Sequence, residues 1–411
     1  MNQTIVTGQQ IGLLGGPLYT TYKVLGAIVL ARQQGGKAVY WLETNDADFH
    51  EINHVDYLDA GNQLRTLSWN INSHGFSCGY IAVDATLTEM LGHFFDSLRQ
   101  TEFTGELRDL VLGCYSPGRT LADASRMLAS ELFGDFDLRL FTPFEDTFRT
   151  FSQPILLTEA ARTPEGEQCN LFCLIGQQRK AVFKRNGRFV LRDGTAVNLS
   201  DHILVPNVKT RSVCQDAFFH THTYVAGPGE VAYLSKLGPD YRFHGVRQAA
   251  IQPRMSLTLL EPRVRRLLRR NHLTPEEILG VAKETLVKQV LKKETNYDCK
   301  ENMEIAGRFT DEYLERLETL GFEESDIKAL WRSLHNEVKR LCGKMRAREK
   351  EENHRLLEDA AYLSDNLWPY AKPQERVFNI FYYMNLFGGK AFIRHLYDQY
   401  DFNRNIMEVD G

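Results

Sequence analysis

The stretch Thr7–Lys23, TGQQIGLLGGPLYTTYK, sets Gly8, Gly12, Gly15, Gly16 and Pro17 between an apolar run and a helical pattern. A glycine-rich turn that runs into a helix start offers unpaired N–H groups and the positive end of the helix dipole to an anion. Tyr19 and Lys23 are four residues apart and share one helical face beside that turn, so the lysine can bring a mobile charge to a phosphate. The stretch is neither a Walker A loop nor a G-x-G-x-x-G fingerprint. A tight strand-to-helix turn whose glycines permit close packing accounts for the same residues.

A second cluster follows at ETNDADFHEINH, where Glu43, Asp46, Asp48 and Glu51 stand with His50 and His54 on one loop. Acidic side chains there can bind a ribose hydroxyl, hold Mg²⁺ or accept a proton from an amine. The alternative is a solvated loop in which Asp and Asn cap turns. A third cluster spans residues 212–233. Gln215 and Asp216 can orient a polar substrate, and Gly227-Pro228-Gly229 points another helix start at the same place. Glu230, in that helix's first turn, either compensates the dipole or takes part in the site. His220 and His222 alternate as strand residues do but lack a third metal ligand. Arg254 can clamp a phosphate or carboxylate through its planar fork, whereas RVRRLLRR at 263–270 reads as a solvated basic face.

The elements that must hold these residues follow from periodicity. Residues 4–7 read as a buried strand, Pro17 to about Gln34 as a helix, and residues 37–43 as a second strand. This β-loop-α-β unit implies a parallel pair, and α/β proteins bind ligands at the carboxyl ends of such strands. Residues 84–134 read as helices and 137–143 as a further strand. Asn186-Gly187 between apolar residues predicts a hairpin. Residues 223–237 repeat the grammar of strand, Gly/Pro turn and helix. Beyond Pro262 the chain turns to long charged helices. Thr274 and Glu277 have capping-box spacing. Ile327, Trp331, Leu334, Val338, Leu341 and Met345 alternate four and three apart as a coiled-coil seam does, until the charged run at 346–355 ends it. After Pro373 an aromatic-rich tail is expected to pack back on the core.

With 411 residues, 43% hydrophobic, the chain can bury a large core. Its 49 Lys and Arg against 53 Asp and Glu give a net charge of −4, so no general attraction for nucleic acid is expected and any anion site must be local. No basic and apolar leader pattern or spanning-length apolar run stands in the sequence, which gives the expectation of a cytoplasmic protein without a membrane partner. Seven scattered cysteines suit reduced thiols, and Cys169 with Cys173 reads as two small buried residues rather than a zinc pair.

Taken together, TGQQIGLLGGPLYTTYK, DADFHEINH, TLADASRMLASELFG (120–134), QDAFFHTHTYVAGPGEVAY (215–233), PRMSLTLLEPRV (253–264) and QERVFNIFYYMN (374–385) closely resemble the bacillithiol biosynthesis cysteine-adding family, BshC. The motifs stand in the family's order and touch nearly the whole chain. Asn45, Ala47 and Gly15 depart from its usual residues. The resemblance implies an α/β fold, a Rossmann-like parallel-sheet core with connecting-peptide insertions and a C-terminal helical coiled coil that makes a homodimer. The implied domains are residues 1–165 and 206–262 for the core, 166–205 for a small β-rich insertion, 263–370 for the coiled coil and 371–411 for a returning segment.

It also implies ligation of L-cysteine to the amine of glucosaminyl-malate, with ATP expected and Mg²⁺ as a possible companion. Lys23, Asp46, Asp48 and His54 are then the expected catalytic residues: Lys23 on phosphate, the two aspartates on Mg²⁺ or the amine, His54 as base. The expected cofactor-binding set is Gly8, Gln9, Gln10, Gly12, Gly16, Tyr19, Gly227, Gly229, Arg254 and Ser256. Asn53, Gln215, Asp216, Tyr224 and Glu230 are expected on the substrate, and no metal site is firmly implied. The altered pocket residues keep open a ligase for another amino acid or amine, and a nucleotide-binding coiled-coil dimer without catalysis.

Overall fold

The computed structural model describes residues 3–294 and 299–410. The chain divides into two compact units, Met1–Leu260 with Gln374–Gly411, and Glu261–Pro373. In the first, β1 (Thr4–Gln10), α1 (Leu18–Gln33) and β2 (Lys37–Glu43) form the expected crossover, with the strands parallel and in register from Thr4 opposite Lys37 to Gln10 opposite Glu43. A hairpin of β3 (His54–Leu58) and β4 (Leu64–Ser68) follows. Next come α2 (Ala85–Ser97), α3 (Thr104–Cys114), α4 (Leu121–Phe133), β5 (Leu138–Phe141) and α5 (Asp146–Arg162). Side chains of Asp84 and Thr120 cap α2 and α4 by accepting from Leu87 and Asp123 backbone N–H groups.

The strands β6 (Gln168–Ile175), β7 (Gln178–Arg185), β8 (Arg188–Leu191) and β9 (Ile203–Pro206) make an antiparallel sheet in the order β8-β7-β6-β9. Asn186 (φ 51°) and Gly187 (φ 69°) turn β7 into β8, the left-handed pair that an Asn-Gly hairpin requires. The main sheet is completed after α6 (Val208–Phe219) by β10 (Thr221–Ala226), α7 (Pro228–Leu234), α8 (Gly238–Phe243) and β11 (Ala250–Pro253).

That sheet has the order β11-β10-β1-β2-β5, and every pairing in it is parallel. Side chains alternate between two buried layers. Ile5, Tyr40, Leu42 and Val225 pack with α1 to α4, while Val6, Val39, Trp41, Tyr224 and Ala226 pack with α5, α6 and β6. A strand buried on both faces reads as a continuous apolar run, which is why residues 37–43 carry so little polarity. Helices Ile380–Leu386 and Ala391–Asp398 put Phe381, Tyr383 and Phe392 into the first layer. The chain winds from β1 to β2 on one side and later returns to place β10 on the other. The crevice beside β1 is therefore a topological switch point.

The second unit holds α9 (Pro262–Arg270), α10 (Lys283–Glu294), α11 (Cys299–Thr319), α12 (Glu324–Glu352) and α13 (His354–Leu367). Thr274 and Glu277 open a short 3₁₀ turn, the Thr274 N–H donating to Glu277 Oε2 at 2.8 Å. A turn with Gly321 at φ 83° reverses α11 into α12, and the two helices pack on each other. The expected seam faces the partner helix only in part. Ile327 and Cys342 are buried and Leu330, Leu334 and Val338 half-buried, whereas Trp331, Leu341 and Met345 are 40%, 53% and 45% exposed. The inner face runs through positions 330 and 342 because one partner helix covers only a narrow stripe. α12 itself continues into the charged run as far as Glu352. Among the described residues no helix is long and apolar enough to cross a membrane.

Candidate functional site

A cavity of about 690 Å³ opens where four parallel strands end. Gly8, Gln9 and Gln10 close β1, Glu43 closes β2, Gly227 and Glu230 follow β10, and Arg254 follows β11. Phe172, Arg179, Pro206 and Arg211 form the facing wall. A Cβ at Gly8 would stand 3.3 Å from Arg211 Nη1, the Trp41 Cβ and the Tyr224 hydroxyl, so glycine here lets a guanidinium and a phenol reach the strand end.

Lys23 sits at the floor, only 1% exposed. Its ammonium donates to Gly8 O, to Gln9 Oε1 at 3.2 Å and to Glu230 Oε2 at 2.5 Å, which engages all three donors of a lysine. The expected mobile charge is thus a fixed clamp. Burial pulls Lys23 below the ordinary lysine range, against the Glu230 charge that supports it. Glu230 also accepts from Tyr224 Oη at 2.9 Å and from the Gly227 N–H at 2.8 Å. Burial pushes the Glu230 carboxyl up, but Lys23 and the Gly227 N–H outweigh it and hold the group below the usual range.

Arg254 is 8% exposed and forks onto Glu375, with Nη1 to Oε2 at 2.8 Å and Nη2 to Oε1 at 2.6 Å. Ser256 Oγ and the Leu257 N–H donate to the same carboxylate, each at 2.9 Å, so Ser256 serves the clamp rather than the cavity. The Arg254 Nε–H is buried, and among the described residues it has no partner. It lies 3.7 Å from where a Gly227 Cβ would stand, and its guanidinium lies 5.3 Å from the Tyr19 ring centre. Arg179 repeats the pattern, since Nη2 binds Asp46 Oδ1 at 2.6 Å while its buried Nε is unpartnered. Arg376 lines the same cavity and is exposed.

Glu43 is half-buried and accepts from Trp41 Nε1 and the Asn45 N–H, both at 2.9 Å. Burial raises its carboxyl above the ordinary glutamate range despite the charge of Arg211. Tyr19 takes a hydrogen bond from Gln9 Nε2 at 3.3 Å, and burial raises its phenol too.

Other expected site residues lie elsewhere. In the Gly12–Gly16 turn the Leu13, Gly15 and Gly16 N–H groups donate to Ile52, Gly12 and Leu13 carbonyls, and the Leu18 N–H at the start of α1 donates to Phe378 O. Gly15 (φ 80°) and Gly16 (φ 77°) serve the turn while Leu13 and Leu14 are buried, so this segment packs and holds no free anion cradle. Asp48 and His54 are exposed and do not line the cavity, and buried Asn53 donates to Trp69 O at 3.1 Å. Gln215 and Asp216 face the interior, where Asp216 Oδ2 accepts from Tyr241 Oη at 2.6 Å and the Ala249 N–H at 3.1 Å. His220 is the exposed left-handed cap of α6 and lies outside β10, whereas His222 lies within the strand with its Nδ1 2.9 Å from Thr223 Oγ1, so the two are not alternating residues of one strand. Among the described residues no group of three His, Cys, Asp or Glu is placed to hold a metal ion. Arg179, Arg211 and Arg376 escaped the sequence reading because nothing in their local pattern marks them.

A doubly covered parallel sheet with its cavity at the switch point defines a Rossmann-like α/β protein, here with a helical unit attached. The chain belongs to the bacillithiol biosynthesis BshC family. The family's N-terminal Rossmann-like domain matches residues 2–168 and 158–255, and its C-terminal coiled-coil domain matches residues 257–408. The "Putative cysteine ligase BshC" of Chloroherpeton thalassium is 27% identical and covers 95% of this chain and 82% of its own length. The protein of the same name from Chlorobaculum tepidum is 27% identical over 93% of this chain and 78% of its own. A solved glutamate tRNA ligase from Elizabethkingia meningosepticum covers 64% of this chain and 50% of its own at 12% identity, with a TM-score of 0.24, too low to carry an argument.

Proposed function

We propose that the chain is a ligase that joins the carboxyl of L-cysteine to the amine of glucosaminyl-malate, with nucleotide-dependent activation of the carboxyl. The observation that carries this reading is the buried Nε–H of Arg254, unpartnered among the described residues, in a side chain that lines the switch-point cavity at the carboxyl end of β11. A donor withdrawn from water and left unpaired costs about 1–3 kcal/mol, and an anionic oxygen bound there recovers it. Family membership and the names of its relatives support the same reaction.

The donors present suit a nucleotide: Arg254, Arg179 and Arg376 would hold its phosphates, and the absence of a side chain at Gly8 lets Arg211 reach the strand end beside them. A bound ATP supplies the leaving group that makes a carboxyl reactive at neutral pH. The protein's own part is positioning and charge neutralisation. Lys23 and Glu230 fix the ends of β1 and β10, and Asp46 steers Arg179. A Mg²⁺ ion at Asp46 would have to displace that arginine.

Purified protein incubated with cysteine, glucosaminyl-malate and Mg-ATP should give bacillithiol, followed by mass spectrometry, with one nucleotide cleaved per amide. A folded sample that yields no amide overturns the reading. Nucleotide turnover with another amino acid would mark a ligase of different substrate, and thermal stabilisation by nucleotide without turnover a binding protein.

A second reading concerns assembly. Phe309 and Tyr313 on α11 and Leu341 and Met345 on α12, each pair four apart, are exposed, as is Trp331. We infer that a second copy of the chain covers these faces. Sedimentation should give a dimer, which Phe309→Asp with Trp331→Asp converts to monomer.

A further inference from the structure

Glu43 differs from the other carboxylates of the cavity. Asp46 is paired with Arg179 and Glu230 with Lys23, and Glu51 is exposed. Glu43 is half-buried, lines the cavity from the last position of β2, and forms no ion pair among the described residues. Each of its oxygens accepts one hydrogen bond, from Trp41 Nε1 or the Asn45 N–H, which fixes the carboxylate and leaves a lone pair open on each oxygen. The charged groups that act on it are Arg211 from α6 and Asp46 from the following loop.

We propose that Glu43 takes the proton from the attacking amine in the ligation step, an assignment that rests on the ligase reading above. The amine nitrogen attacks the carbonyl carbon of the activated cysteine. The C–N bond forms, the bond from that carbon to the phosphate oxygen breaks with its electron pair leaving on the phosphate, and one N–H proton passes to a Glu43 oxygen. Glu43 then returns the proton to water. The rival bases are disqualified by their surroundings. Lys23 has no donor or lone pair to spare, Asp46 and Glu230 are held by cations, Glu51 is exposed at the rim although burial, Asp48 and Asp46 raise its carboxyl too, and His54 does not line the cavity. Burial lifts the Glu43 carboxyl, while Arg211 and the two N–H donors pull the other way and Asp46 adds to the rise. A carboxylate whose proton affinity is raised is the stronger base.

The test separates the two steps. In Glu43→Gln, amide formation at neutral pH should fall about 100-fold or more, while cysteine-dependent nucleotide cleavage measured without the amine is retained. The variant's rate should climb as pH rises through the titration of the amine, because solvent then takes the proton. The wild-type profile should show an acid limb above the ordinary glutamate range that the variant lacks and Glu43→Asp keeps. Infrared difference spectra should carry a protonated carboxyl band that disappears with Glu43→Gln. Amide formation within about threefold of wild type, or a matching loss of the cleavage step, overturns the assignment. So does a wild-type profile without the acid limb, even if Glu43→Gln fails to fold. Wild-type protein that makes no amide at all overturns the ligase reading itself.

Discussion

Glu230 and Glu43 border one cavity from the two sides of β1, and the protein treats them in opposite ways. At the corner where β10 leads into α7, Glu230 meets an ammonium, a phenol and a backbone N–H, and its charge is locked in. At the end of β2, Glu43 meets two neutral donors and, among the described residues, no ion-pair partner, and burial pushes its proton affinity up. Two carboxyls whose environments drive their pKa values apart divide the labour of a site, one fixed and structural, the other able to titrate. The difference lies in what surrounds each residue and not in its type.

The comparison breaks most easily at Lys23. Lys23→Met should leave Glu230 without its cation and cost about 3 kcal/mol in chemical denaturation. Lys23→Met with Glu230→Leu should recover much of that loss, since removing both charges also removes the uncompensated one. A single-variant cost under about 1 kcal/mol would mean that the corner is not held by this pair. Arg254→Lys comes next. It keeps the charge but gives up the fork on Glu375 and the free Nε–H, so a loss of about 1–3 kcal/mol and weaker nucleotide binding by calorimetry are expected.

The pH dependence sharpens the contrast. In the folded protein Glu230 titrates below the ordinary glutamate value, so its contribution to stability is full above that value and is lost as pH falls through the lowered one. Glu43 has the opposite sign. Its folded pKa is raised, so the stability it adds is full below the unfolded value and is lost as pH rises through the folded one. Thermal melts should therefore find Glu230→Gln less stable than wild type near neutrality, with a flatter acid limb. Glu43→Gln should be at least as stable as wild type there, although it loses turnover, as residues placed for chemistry often do. Equal shifts in the two variants would erase the distinction.

The crossover from β1 to β2 was legible because apolar periodicity and a proline at the helix start are local signals, and Asn186-Gly187 marked its hairpin for the same reason. The cavity was legible only in outline. Sequence placed Gly8, Glu43 and Gly227 at strand ends, where switch-point ligands bind. It could not show that the Leu13 N–H of the turn and the Leu18 N–H at the start of α1 are already engaged, because Ile52 and Phe378 supply the carbonyls from elsewhere. Arg254 read as a free clamp because Glu375 lies 121 residues away in sequence. Gln215 and Asp216 read as substrate ligands because polar residues beside a glycine turn suggest a pocket, whereas α6 turns them toward Tyr241 and Ala249. In the coil, period alone could not choose between adjacent stripes at 330/331 and 341/342.

The smallest expected effect is at the rim. Arg376 is exposed, and among the described residues no hydrogen bond or ion pair is recorded for it, so it belongs to neither of the two corners. Arg376→Ala should leave the melting curve within about 0.5 kcal/mol of wild type, as surface changes away from packed features do. If the rim acts on a ligand's phosphates through charge alone, nucleotide affinity should fall several-fold in low salt, and the gap should narrow as added salt screens the contact. A gap that persists at high salt would assign Arg376 a direct, desolvated contact with the ligand, comparable to that expected of Arg254. No gap at any salt would confine anion binding to the buried guanidinium groups beside the strand ends.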